Sequence, residues 1–98
     1  MIYLEKEEDF NELISSGNVL VDFYATWCGP CKMLEGELES IEENIKIVKV
    51  DIDKFQKLTL EYRIMSVPTM IIFKDGIKSQ EVVGYHTSDE LKEIINEL

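Results

Sequence analysis

Residues Val21–Gly36, VDFYATWCGPCKMLEG, carry both cysteines of the chain, Cys28 and Cys31. They sit beside its only tryptophan, Trp27, and the first lies six positions after an aspartate, Asp22, set in an apolar run. The upstream half belongs to VLVDFYA, Val19–Ala25, a nearly continuous apolar and β-branched stretch of the kind that forms a strand covered on both faces. The downstream half opens with Pro30, whose fixed φ and missing N–H suit a first helical turn, and continues with Leu34, Leu38 and Ile41 on one helical face. The reading is therefore strand, a short turn bearing both thiols, then helix.

Outward from this stretch the punctuation is regular. Ile2 to Leu4 predict a short strand, and Phe10, Leu13 and Ile14 a first helix stopped at Gly17. IKIVKVDI, Ile45 to Ile52, is the next strand, and Phe55, Leu58, Thr59 and Tyr62 give a third helical face. VPTMIIF and IKSQEVVG flank Lys74-Asp75-Gly76, and the Asp-Gly pair is a strong hairpin signal, so these strands are expected to pair antiparallel. In TSDELKEIINEL, Thr87 and Glu90 make a capping-box pattern ahead of an apolar face of Leu91, Ile94, Ile95 and Leu98. This order calls for an α/β fold in three layers, a central mixed sheet with helices on both faces, ending in a hairpin and a helix. No repeat or linker interrupts it, so residues 1–98 read as a single domain.

Composition narrows the partners. Of 98 residues 45% are hydrophobic, enough for one sizeable core and too many for disorder, while 20 acidic against 10 basic residues leave a net charge of −10. Nucleic-acid backbones and anionic membranes attract Lys and Arg, so proteins or small molecules are the expected partners. The N-terminal MIYLEKEEDF has no basic segment followed by an apolar stretch, which predicts a cytoplasmic location. Two cysteines are also too few for the disulfide framework of a small secreted domain.

Cys28-Gly29-Pro30-Cys31 admits three chemistries. A structural zinc site needs four ligands, and beyond the two cysteines the chain adds only His86 as a nitrogen or sulfur ligand. A structural staple closing four residues gains roughly 2 kcal/mol in the chain-entropy relation, against about 4.7 for a 100-residue loop, so it does little for the fold. The redox reading uses every local feature. Unpaired N–H groups and the positive macrodipole end at a helix start stabilise a thiolate, which makes Cys28 the expected exposed nucleophile. Cys31, one turn on and less exposed, is placed to resolve a mixed disulfide formed at Cys28. Pro30 stiffens the turn, and Gly29 leaves room for a substrate backbone.

At this point VDFYATWCGPC resembles the active-site segment of the thioredoxin family, and the derived order of strands and helices is similar to that family's fold. SVPTMIIFKDG, Ser66 to Gly76, resembles the segment in which a cis-proline faces the disulfide, and VVGYHTSDEL the glycine-bearing stretch before the last helix. The likeness covers nearly the whole chain. It implies a cis bond between Val67 and Pro68 and a general protein dithiol-disulfide oxidoreductase. It also implies a reductase, flavin- or ferredoxin-linked, to recycle the Cys28-Cys31 pair. Gly-Pro between the cysteines looks like the reducing branch. No strand-borne GxGxxG is present, so no tightly bound organic cofactor and no metal is expected. A monomer is expected.

Asp22 stands between Val21 and Phe23, where an ionised carboxylate costs several kcal/mol unless paired or solvated, so a buried carboxyl with a raised pKa is expected. In the family the matching aspartate lies behind the second cysteine and assists proton transfer, which would make Asp22 a base for Cys31. Lys49 matches the family's lysine near that aspartate; equally, its stem could snorkel to solvent. Trp27 reads as core or, by the resemblance, as a shield and docking surface. Val67, Gly84 and Gly29 correspond to the family's docking rim, and Met65 to that rim or to loop packing. His86 and the Glu-rich EGELESIEEN are expected in solvent. Gly36 replaces a proline usual in the family, and the segment from Cys31 to Lys49 is short, which predicts a shorter, looser helix. Two other functions stay open: a binding subunit with dispensable cysteines, and a metal centre shared between two chains.

Overall fold

In the computed structural model, which describes residues 1–98, the chain runs through β1 (Ile2–Tyr3), a 3₁₀ turn (Glu7–Asp9), α1 (Phe10–Leu13) and β2 (Asn18–Tyr24). It continues with α2 (Gly29–Glu39), β3 (Lys46–Asp51), α3 (Gln56–Glu61), β4 (Thr69–Lys74), β5 (Ile77–Val83) and α4 (Ser88–Asn96). The strands form one mixed sheet in the order β1-β3-β2-β4-β5. The first three are mutually parallel, and β4 and β5 are antiparallel additions. The expected α/β architecture is present, with β2 at the centre.

Strand periodicity sorts the core into two halves. Val19, Val21 and Phe23 join Phe10, Ile14, Phe55 and Leu58 on the side covered by α1 and α3. Leu20 joins Leu34, Leu38, Met70, Ile72 and Leu91 on the side covered by α2 and α4. Because β2 is covered on both faces, it reads as a continuous apolar run, and the one exception, Asp22, must face the second half with Leu20.

Chain reversals follow their local chemistry. Asp75 and Gly76 both take positive φ, 50° and 84°, which matches the right-handed twist of the β4-β5 hairpin. At the start of α4, Thr87 Oγ1 accepts from Glu90 N while Glu90 Oε1 accepts from Thr87 N at 2.8 Å, so the capping box forms in full. Two hydrogen bonds donated by Thr87 to Glu90 Oε1, from its backbone N–H and then its hydroxyl, hold that carboxyl below its usual range. Helix α2 passes through Gly36 without a break. The helix gives way to turns after Glu39, and Ile41 remains fully buried.

Candidate active site

Cys28 is the N-cap residue of α2, with extended backbone angles, and Gly29 and Pro30 fill the first two helical positions. Its sulfur accepts a hydrogen bond from the Cys31 backbone N–H at 3.2 Å, so one of the helix's unpaired donors is directed at the reactive atom. The same donor would stabilise a thiolate at this place. The two cysteines form a disulfide with Cα atoms 5.3 Å apart. Contrary to the expectation of an exposed Cys28, both residues are buried, at 5% and 3% exposure. Ala25 shares their cluster, and Tyr24, Ile52 and Val67 pack over it.

The loop opposite completes the cover. The Val67-Pro68 peptide is cis, and the Val67 carbonyl oxygen lies 3.8 Å from Cys28 Sγ. Gly84 N–H donates to the Pro68 carbonyl at 2.8 Å, with φ of 87° at Gly84, a conformation that favours glycine. Trp27 is not core: it is 67% exposed, and its indole N–H donates to Asp53 Oδ2 at 2.8 Å. Met65, at 93% exposure, excludes plain packing. Trp27, Ile52, Ile64, Met65, Ser66 and Val67 line an apolar groove of about 340 Å3, which Ile52 and Val67 join to the cluster around the disulfide. A larger cleft of about 720 Å3 lies along β1 between Ile2, Glu12 and Lys46, but neither cysteine borders it.

Asp22 is fully buried, and its cross-strand partner on β3 is Lys49. Lys49 Nζ lies 3.0 Å from Asp22 Oδ2, and the whole lysine is 2% exposed, so it does not snorkel. No donor other than Lys49 approaches either carboxylate oxygen. Burial therefore pushes the Asp22 carboxyl up, and the attraction of Lys49 offsets this only in part. The ammonium also sits 4.6 Å from the Tyr24 ring centroid and 5.9 Å from that of Tyr3.

A second cleft, of about 290 Å3, opens behind Cys31 and is bordered by Lys49, Tyr24, Tyr3, Lys32 and Glu35. Tyr3 Oη donates to Glu35 Oε1, and this bond, more than burial, pushes the tyrosine pKa up to about 12. Sequence reasoning missed Tyr3, Glu35 and Asp53. Glu35 follows Cys31 by four residues, so the same-face rule for helices could have found it. His86, expected in solvent, is half-buried with Nδ1 3.1 Å from the Gly84 carbonyl.

A family profile described as Thioredoxin matches residues 1–97. The chain belongs to the thioredoxin family. It is 44% identical over 100 residues to a thioredoxin of Chlamydia caviae, covering 99% of this chain and 98% of that protein. Among solved structures, a single-site mutant thioredoxin from Halobacterium salinarum matches with a TM-score of 0.92 at 38% identity, over 98% of this chain and 88% of that one. A further structure comes from work on how the glutathione and thioredoxin systems resolve a yeast mitochondrial 1-Cys peroxiredoxin. It matches with a TM-score of 0.88 at 30% identity, over all of this chain, 100%, and 95% of that one. Thioredoxins are dithiol-disulfide oxidoreductases, and Cys28 with Cys31 is the disulfide redox centre of this member. No helix is long and apolar enough to cross a membrane, and nowhere do three or more His, Cys, Asp or Glu side chains group as metal ligands.

Proposed function

We propose that this thioredoxin reduces protein disulfides with Cys28 as nucleophile and Cys31 as resolving thiol. The Cys28 thiolate attacks one sulfur of the target, forming a mixed disulfide and releasing the first target thiolate. Cys31 then loses its proton and attacks Cys28 Sγ; the Cys28-Cys31 bond forms, the second target thiolate leaves, and two electrons have passed to the target. The observation that carries this assignment is the N-cap hydrogen bond from Cys31 N to Cys28 Sγ at 3.2 Å, a donor that would stabilise negative charge on Cys28 in the reduced pair.

Asp22 takes the Cys31 proton. Leu20 packs against Leu34 and Leu38 of α2, so Asp22, two residues along the same strand face, lies toward the start of that helix. Lys49 supplies the counter-charge. Trp27 and Val67 line the groove that receives the target, and Gly29 and Pro30 after Cys28, with Pro68 and Gly84 next to Val67, complete the docking surface. Because Cys28 is covered, an extended target segment lying in this groove is the form that reaches its sulfur.

The partners are proteins with disulfides, a peroxiredoxin among them by analogy with the yeast neighbour, and a flavin- or ferredoxin-linked thioredoxin reductase. Residues 1–98 act as one domain and as a monomer, without a bound cofactor or metal, and the cytoplasm is the fitting compartment. The acidic surface fits neither nucleic acid nor anionic membrane. Insulin reduction by dithiothreitol is the test. The chain should accelerate it catalytically, and Cys28→Ser should abolish the acceleration; acceleration that survives Cys28→Ser would overturn the assignment.

A further inference from the structure

Behind Cys31 the site continues into the 290 Å3 cleft, whose inner wall includes Lys49 and whose outer wall includes Glu35 and Tyr3. Asp22 does not border this cleft; it meets it only through Lys49, 3.0 Å away. Glu35 is half-buried, four residues beyond Cys31 on the same face of α2, and its carboxylate is held by the Tyr3 hydroxyl. The Lys49 ammonium thus pairs with a carboxylate sealed behind it and borders the same cleft as a second one, clamped at the mouth. We propose that Glu35, clamped by Tyr3, is a positioning residue for proton transfer at Cys31, acting through Lys49 on Asp22. This rests on the roles assigned above to Cys31 and Asp22.

The charges involved come from every element around the cleft: Tyr3 from β1, Tyr24 from β2, Lys49 and Asp51 from β3, and Lys32, Glu35 and Glu39 from α2. Among them Lys49 is the only cation touching Asp22. A fixed negative charge at Glu35 competes for its field and opposes ionisation of Asp22. A carboxylate that ionises reluctantly is a stronger base for the thiol in front of it. The step balances simply. The Cys31 S–H proton passes to Asp22, the Cys31 thiolate closes the disulfide on Cys28, and the expelled target thiolate takes up a proton afterwards. Tyr3 enters no bond change; it fixes where the Glu35 charge sits.

The test is the single-turnover release of a target thiol from the Cys28 mixed disulfide, measured in the full chain across the pH range. Glu35→Gln should move the midpoint of the pH-rate profile to lower pH while lowering the plateau by less than about tenfold, since loss of a whole general base costs about 10²–10⁴. Tyr3→Phe should move the midpoint the same way by a smaller amount, and Glu35→Asp should restore most of the native profile. In an Asp22→Asn background Glu35→Gln should move nothing. An unmoved or upward midpoint in Glu35→Gln, or a shift that persists without Asp22, would overturn the inference. Failure of the unaltered chain to release target at any pH would instead refute the resolving role of Cys31 on which it rests.

Discussion

Replacing Asp22 by Asn should stabilise the protein near neutral pH while slowing resolution of the mixed disulfide. Three effects compete. Removing a carboxylate from water costs several kcal/mol, and a unit charge 3.0 Å away returns about 5.5 kcal/mol at an effective dielectric of 20, so the two nearly cancel. With no donor besides Lys49 at either Asp22 oxygen, the cost of burial prevails over the ionised form. The third effect is the charge left on Lys49, which would cost about 3–5 kcal/mol if stranded. Although Lys49 is buried, that cost is offset in part by the Tyr24 ring 4.6 Å from its ammonium and by the side-chain oxygen that Asn keeps beside it. A net gain of about 1–2 kcal/mol follows, or roughly 4–16 °C in Tm for a domain of this size.

The pH dependence fixes the sign. Burial raises the folded pKa of Asp22 above its ordinary 3.8, so the folded state binds the proton more tightly. Its contribution to stability is fully present below the unfolded pKa and is lost as pH rises through the folded one. Urea melts of the native protein and Asp22→Asn should therefore nearly coincide in acid and separate with rising pH, Asn being the more stable. Over the same range the target-release rate of the variant should fall by about 10²-fold or more. A variant less stable at pH 8, or separated equally at every pH, would show that Asp22 is an ordinary structural partner of Lys49.

Cys31→Ser should accumulate stable mixed disulfides with target proteins, visible on non-reducing gels, whereas Cys28→Ser should not; the reverse pattern would exchange the two roles. Two glycines should respond oppositely. A Cβ at Gly36 meets nothing within 4 Å, so Gly36→Ala should stabilise α2 by about 1 kcal/mol in a denaturant melt. Gly84, at φ of 87°, should lose about 1–2 kcal/mol on the same change although space is open around it. Thr87→Ala removes the capping box and should cost about 1 kcal/mol.

Local signals carried most of the fold. Val19–Ala25 reads as a two-sided strand because both faces of β2 are covered, and Asp75-Gly76 and Thr87 with Glu90 are turn and cap chemistry complete within a few residues. The cis bond before Pro68 came only from the family resemblance. What the sequence left open depended on pairing across strands. Lys49 could snorkel or pair until the register set it opposite Asp22. Trp27 could be core or surface until Asp53, 26 residues away, was seen to hold its indole outside. Tyr3 and Glu35 lie 32 residues apart in separate elements, and no local pattern joins them. The covering of Cys28 by Val67 was hidden for the same reason.

The central claim is that Cys28 and Cys31 form a reducing couple, and the reduction potential of that pair tests it most directly. Equilibration of the pure protein in graded dithiothreitol redox buffers, with the thiols trapped by acid and alkylated, gives the value. A single two-electron transition near the roughly −270 mV known for thioredoxin is the expected result. A potential near the −120 mV or so typical of a strong oxidant, or cysteines that never exchange as a pair, would contradict the account.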